Sequence, residues 1–271
     1  MQLKGLDRVA QGGKIDPMHQ FLVEPMFGTE KWVIGGYNVA FTNSALFMVV
    51  TLVLMWIFML GGMKGALVPG RWQAAVEGFT GFISNMMDAN IGPKGKAFTP
   101  YVFSLFMFIL VANLLGLFPI GVIPGMHAFT VTSHFTVTGV LAIVSFAIVL
   151  IVGFWKHGFH FFSLFVPHGT PIPMIPLLFV IELFSFMIRP FSLGLRLFVA
   201  MTAGHVLLKV LAGFVISGLS SDSILLAPMI AIPSLALMIA ISALELLVAA
   251  IQAYVFALLT SLYLNDAINL H

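Results

Sequence analysis

Long runs of apolar residues, separated by short polar connections, dominate this chain. Uncharged runs cover residues 42–62, 98–118 and 134–155, each long enough to cross a hydrocarbon core of roughly 30 Å once. Two apolar stretches, 171–217 and 224–264, are longer; as single helices they would measure about 70 Å and 60 Å. The pattern predicts an all-α polytopic membrane protein with about five membrane-crossing helices.

The two longest stretches either tilt steeply in the membrane or break. Five prolines allow bends, namely Pro173, Pro176, Pro190, Pro228 and Pro233. The apolar character continues past each of them, which favours tilt over breakage. Because the connection near Ser220–Asp222 is short, we expect these two helices, 171–217 and 224–264, to form an antiparallel hairpin.

The segment 71–90 has a different pattern, with apolar residues every three or four positions and Gln73, Glu77, Ser84 and Asp88 largely on the other side. This is typical of a helix with one apolar face, which suits the membrane interface. An ordinary core-facing helix is the alternative, but the position between two spans favours an interfacial helix.

The first forty residues are mixed in character and contain Pro17, Pro25 and a Gly35-Gly36 pair. We interpret residues 1–40 as a peripheral N-terminal arm and 41–271 as a single integral membrane domain. The N-terminus lacks the apolar core of a secretory signal peptide. The two halves of the chain show no repeat, which counts against an inverted-repeat transporter.

Composition agrees with a lipid environment, since 60% of the 271 residues are hydrophobic, 8% are charged and the mean hydropathy is +1.09. Soluble domains carry about 25% charged residues. A net charge of +2 gives no indication of nucleic-acid binding. The absence of cysteine excludes disulfides and thiolate metal sites. An aromatic, cationic interfacial belt explains His157, His160 and His168 better than a metal site does, so we expect neither metal nor cofactor.

Basic residues occur in alternate connections between the predicted spans. They lie between the first and second uncharged spans and directly after the third, at Lys64, Arg71, Lys94, Lys96 and Lys156. The positive-inside rule therefore assigns 63–97 and 156–170 to the cytoplasm and 119–133 to the outside. The N-terminus is then outside and the C-terminus cytoplasmic.

Charged residues inside the membrane are concentrated in the predicted hairpin. Glu182, Arg189 and Arg196 are spaced by seven residues and share one helical stripe. Glu182 and Arg189 form a candidate structural ion pair. Arg196 has no acidic residue within reach along its own helix, and an arginine is effectively never deprotonated. It therefore indicates an anion supplied from elsewhere; pairing with Glu245 on the neighbouring helix or snorkelling to a headgroup are the alternatives.

Three further polar residues lie in the hairpin. His205 and Glu245 are on its two arms, and both can change charge at accessible pH, which suits a proton relay. For His205 alone, a structural hydrogen bond is the simpler explanation. Gln252 lies seven residues after Glu245, so the two share a face, and its amide can hold water. Lys209 is best explained by snorkelling towards the outer interface.

Four segments carry a resemblance to a known family. The stretches RPFSLGLRLFVAMTAGHVLLKV (189–210), LELLVAAIQAYVFALLTSLYL (244–264), FSLFMFILVANLLGLFP (103–119) and FTNSALFMV (41–49) resemble the a subunit, or subunit 6, of F-type ATP synthases. The resemblance covers nearly the whole chain except about the first fifteen residues. The order of His205 and Glu245 is similar to that in mitochondria and their alphaproteobacterial relatives.

The resemblance implies a proton-conducting stator subunit without a catalytic site of its own, in a translocating complex that makes ATP. Its hairpin would curve around a rotating ring of c subunits, with b-type peripheral stalk subunits and the rest of the complex as further partners. Arg196 would face the ring carboxylate and separate two offset half-channels. The family's histidine and acidic positions fall at His205 and Glu245, the cytoplasmic half-channel acid at Glu182, and polar family positions at Gln252 and Asn113. Ala200 departs from the family pattern, which commonly has Asn there.

The resemblance also implies a bacterial inner membrane, with the mitochondrial inner membrane as the alternative. Two rival functions remain open from the sequence, a proton-coupled secondary transporter and a structural or assembly subunit that conducts nothing. The transporter would show repeats and broken helices, and the structural protein has no need of a buried titratable pair.

Overall fold

A computed structural model describes residues 22–23, 33–34, 37–38, 40–63, 69–118, 130–165, 172–219 and 226–269. Within them the chain forms six α-helices: α1 (Asn43–Gly62), α2 (Arg71–Asn90), α3 (Thr99–Leu117), α4 (Phe135–His157), α5 (Ile175–Leu219) and α6 (Leu226–Ile268). Two-residue strands β1 (Val33–Ile34) and β2 (Tyr37–Asn38) pair antiparallel before α1. Short 3-10 helices cover Gly92–Phe98, Val131–Ser133, Gly158–Phe165 and Ile172–Met174.

Five of the six helices, all except α2, are long and apolar enough to cross a membrane. This confirms the predicted class, an all-α polytopic membrane protein with a separate amphipathic helix. The interfacial position of α2 stays a prediction. Gln73, predicted on its polar face, is instead buried, and its amide donates to Glu77 Oε1 at 2.8 Å. Most of the predicted arm, 1–40, lies outside the described residues.

The two long helices are unbroken. α5 has 45 residues and continues through Pro190, and α6 has 43 residues and continues through Pro233. Each is about 65 Å long, roughly twice the hydrocarbon thickness, so a membrane accommodates them by tilt. Continuous helices, rather than breaks at the prolines, are what the uninterrupted apolar pattern predicted.

Helices α5 and α6 form the most extensive helix pair in the described structure. Gly218 lies against Ala231, Gly204 against Glu245, and Arg189 against Asp266. Because the order of these contacts is reversed between the two helices, the pair is antiparallel, as predicted for the hairpin.

The centre of the molecule is α3, which packs against α6 and α1, while α4 packs against α5 and α6. Half of the apolar span that contains α3 is buried, against 11% of the α1 span. Thr130 and the 3-10 helix Val131–Ser133 are also buried and contact α3 and α5. A buried polar segment thus reaches the interior at the junction of α3, α5 and α6.

Candidate functional site

A buried histidine and glutamate face each other across the hairpin. His205 Nδ1, on α5, lies 3.3 Å from Glu245 Oε1, on α6, and their side chains are only 10% and 3% exposed. The structure therefore brings together the two titratable residues that the sequence placed on opposite arms. A proton can pass between groups at this separation once their geometry aligns.

Gly204 makes room for the Glu245 carboxyl group. A Cβ at this position would lie 2.6 Å from Glu245 Oε1 and 2.8 Å from its Cδ. Neither carboxyl oxygen accepts a hydrogen bond from the described residues, so the contact with His205 is electrostatic in its present geometry. A buried carboxyl group without hydrogen bonds is costly when ionised, which is unusual for a purely structural residue.

Thr130 completes the surroundings of His205. Its Oγ1 lies 2.6 Å from His205 Nε2, and both side chains are buried. Gly116 on α3 gives this threonine its space, since a Cβ there would collide with the Thr130 side chain. The imidazole therefore contacts a hydroxyl group with one nitrogen and a carboxyl group with the other.

Asn113 joins three elements beside this pair. Its Nδ2 donates to the Ala249 carbonyl of α6 at 3.1 Å, and its Oδ1 accepts from Thr132 Oγ1 at 2.7 Å. Asn113 and Thr132 are fully buried. Ala249 lies one helical turn after Glu245, so Asn113 holds the carboxylate-bearing turn of α6 against α3.

Sequence reasoning missed the contribution of Thr130, Thr132 and Ser133. They belonged to the predicted external connection 119–133, of which residues 119–129 lie outside the described residues. Ser133 Oγ donates to the Thr130 carbonyl at 2.6 Å, and Thr202 Oγ1 of α5 donates to the Ser133 carbonyl at 3.3 Å. The signal was three hydroxyl residues within four positions directly before an uncharged span.

Arg196 lies apart from this cluster, on an exposed face of α5. Nine residues separate it from His205, which is half a turn beyond two full turns and so places the two on opposite faces. Arg196 has no hydrogen bond or ion pair with any of the described residues. Pairing with Glu245, one of the alternatives, is not found, because that carboxyl group faces His205 instead.

Arg189 has a stronger partner than the one predicted for it. Its Nη1 lies 2.7 Å from Asp266 Oδ2, whereas its Nη2 lies 3.9 Å from Glu182 Oε1. The guanidinium carbon also lies over the rings of Phe186 and Tyr263, 5.5 and 5.3 Å from their centroids. The predicted pair of Glu182 and Arg189 is therefore the weaker side of a three-residue network that includes Asp266.

Gln252 and Lys209 occupy intermediate positions. Gln252 is half-buried on α6, between Glu245 and Asp266, and so lies along the same part of the hairpin as Arg196. Lys209 is half-buried one turn after His205 and interacts with it electrostatically. Within the described residues, no three His, Asp or Glu side chains gather as they would around a metal ion.

Comparisons with known proteins agree on one family. A family model described as "ATP synthase A chain" matches residues 44–265, from the beginning of α1 almost to the end of α6. "ATP synthase subunit a" of Rhizorhabdus wittichii is 73% identical over 262 residues, which cover 97% of this chain and 99% of that protein. The protein of the same name from Zymomonas mobilis is 60% identical, and the match covers 97% of this chain and 100% of that protein. The one from Rhodospirillum rubrum is 43% identical, and the match covers 94% of this chain and 99% of that protein. The chain belongs to the ATP synthase A chain family.

Proposed function

We propose that this protein is the proton-conducting stator subunit in the membrane sector of an F-type ATP synthase. Protons pass through two offset half-channels to and from a carboxylate on a rotating ring of c subunits, and rotation is coupled to ATP synthesis. One observation carries the proposal. Arg196 is exposed on one face of α5 without a partner among the described residues, while the opposite face carries the buried contact of His205 with Glu245.

The physics of a carboxylate in lipid explains why an exposed, permanent cation is needed. A ring carboxyl group must be protonated while it faces lipid, because a bare carboxylate there is expensive. Beside Arg196 it can ionise, since a nearby cation favours the charged form. The guanidinium group of Arg196 is a cation and repels protons, which prevents a direct leak between the half-channels. Each proton that crosses gains about 2.3 kcal/mol per 100 mV.

The buried cluster supplies one of the two routes. His205 and Glu245 exchange protons, while Thr130 holds the His205 ring and Asn113 holds the turn of α6 that follows Glu245. Glu182, more than twenty residues before His205 on α5, belongs to the other half-channel, and Gln252 can hold water near Arg196. Ala200 stands where the family pattern commonly has Asn, so any water or hydrogen bond that this Asn would supply comes from other groups or is not needed.

The orientation of the chain in its membrane and its partner subunits belong to the same proposal. Lys94, Lys96 and Lys156 lie at the ends of α3 and α4 that the positive-inside rule assigns to the cytoplasm, which puts the N-terminus outside a bacterial inner membrane and the C-terminus in the cytoplasm. Lys64 lies outside the described residues. The sequence contains no phosphate-binding G-x-x-x-x-G-K-[ST] motif, so ATP is made by partner subunits. A b-type peripheral stalk holds these partner subunits against this one.

ATP-driven acidification of inverted membrane vesicles tests the proposal. We expect Arg196→Ala to abolish acidification while the amount of assembled complex stays normal. Arg71→Ala, at the exposed beginning of α2, is the matched control and is expected to pump normally. Near-normal pumping by the Arg196→Ala complex would refute the barrier role and favour a structural or assembly subunit.

A further inference from the structure

A groove of about 570 Å³ opens between the ends of α3, α4 and α6, away from the site described above. Its rim carries Lys94 and Lys156, and its walls are apolar, including Phe98, Ile151, Trp155 and Ile268. Neither the proton route nor the ring contact uses this groove. Its size is that of a small-molecule site, and its lining combines two cations with hydrocarbon.

The two lysines have no anionic partner among the residues that the structure describes. No acidic side chain lines the groove, and neither Lys94 nor Lys156 forms an ion pair with any described residue. Lys94 Nζ donates only to the neutral Asn269 Oδ1, at 3.2 Å, and both lysines are exposed. Two ammonium groups that line the same groove, with no counter-ion among the described residues, favour binding of an anion.

The apolar wall continues from these lysines towards the middle of the membrane. Ile148, Ile151, Val152 and Trp155 line the groove and follow the i, i+3, i+4, i+7 spacing of one helical face. From Lys156 back to Ile148 this face is about 12 Å long. Trp155 is 88% exposed, as is typical of a tryptophan at headgroup level. The site therefore presents charge at the interface and an apolar track beneath it.

We propose that this groove binds one anionic phospholipid, with its phosphate between Lys94 and Lys156 and an acyl chain along α4. A free phosphate ion would satisfy the lysines and leave the apolar face unused. A zwitterionic lipid brings its own cation and gains less from two ammonium groups. The proposal is independent of proton conduction, so its failure would leave the proposed function untouched.

Native mass spectrometry of the purified, delipidated complex tests this inference by titration with phosphatidylglycerol or phosphatidylcholine. A basic residue near a lipid surface strengthens binding about fivefold, so replacing both lysines weakens it about thirtyfold. We expect Lys94→Gln/Lys156→Gln to weaken the tightest phosphatidylglycerol site by that factor. Lys96→Gln, an exposed lysine of the same segment outside the groove, is the matched control and is expected to bind normally.

Two further measurements test whether the apolar wall contributes to binding and whether free phosphate can replace the lipid. Ile151→Gln keeps both lysines and changes an exposed apolar residue, and we expect it to weaken phosphatidylglycerol binding while leaving assembly intact. Millimolar inorganic phosphate is expected not to displace the lipid. The proposal is overturned if phosphatidylcholine binds as tightly, if the double variant binds like the unchanged complex, or if phosphate alone competes fully.

Discussion

Replacing Gly204 with alanine is expected to disturb the buried proton relay while leaving the rest of the hairpin in place. The added methyl group would lie 2.6 Å from Glu245 Oε1 and 3.1 Å from its Cγ. The carboxyl group must move by roughly 1 Å to regain ordinary contact distance. It now lies 3.3 Å from His205 Nδ1, and a shift of that size between reacting groups costs on the order of 100-fold in rate.

The assay is passive proton flux through the membrane sector in vesicles, after the soluble sector has been removed. We expect Gly204→Ala to lower the flux between tenfold and 100-fold at an unchanged amount of complex. Gly81→Ala is the matched control, because a Cβ at Gly81 meets nothing within 4 Å and alanine favours a helix by about 1 kcal/mol. Its flux is expected to be normal.

A second substitution shows whether the contact between the added methyl group and the Glu245 carboxyl group causes the loss of proton flux. Glu245→Asp shortens the side chain by one carbon–carbon bond, about 1.5 Å, and withdraws the carboxyl group from the added methyl. The Gly204→Ala/Glu245→Asp complex is therefore expected to conduct better than the two single effects combined predict. Additive losses, or normal flux in Gly204→Ala alone, would refute the assignment of Gly204 as the space for this carboxyl group.

Four other substitutions test the polar contacts of Thr130, Asn113 and Asp266. Thr130→Val leaves His205 Nε2 without its hydroxyl contact and is expected to lower proton flux, whereas Thr130→Ser restores it; equal flux in both variants would contradict the contact. Asn113→Leu leaves the buried Thr132 hydroxyl group without its acceptor, at a cost of about 1–3 kcal/mol, so the thermal stability of the complex falls; an unchanged melting temperature would contradict this. Asp266→Asn weakens the half-exposed ion pair with Arg189, and we expect the free energy of unfolding to fall by about 1 kcal/mol or less. A fall of several kcal/mol would contradict this estimate of the pair's contribution.

The number and length of the helices could be predicted from the sequence, because a helix that crosses a membrane must be apolar and long enough to span the hydrocarbon core. A stretch such as 42–62 has no polar residue that would end a helix in its middle, and the helix Asn43–Gly62 occupies it. Pro190 and Pro233 did not interrupt the long helices, since the apolar residues on both sides remain favourable in lipid. Charges in such a background are expensive, which is why Arg196, His205 and Glu245 were identifiable as candidates.

The partners of these residues were harder to predict, because helical spacing describes only contacts within one helix. Glu182 lies two turns before Arg189 and was chosen for that reason, yet the shorter contact comes from Asp266, far away in sequence. Thr130 likewise reaches His205 only because the 3-10 helix that directly follows it, Val131–Ser133, packs against both α3 and α5. The spacing of nine residues puts Arg196 and His205 on opposite faces of α5, but only the folded structure shows that the Arg196 face is exposed and the His205 face is buried.

If Arg196 is the charge barrier between two half-channels, removing its charge opens a passive proton leak. Vesicles with the assembled complex are given a membrane potential without ATP, and proton uptake is compared between the unchanged protein and Arg196→Ala. We expect a proton leak in the variant that clearly exceeds that of the unchanged complex, at equal amounts of both. A leak no greater than that of the unchanged complex would contradict the claim.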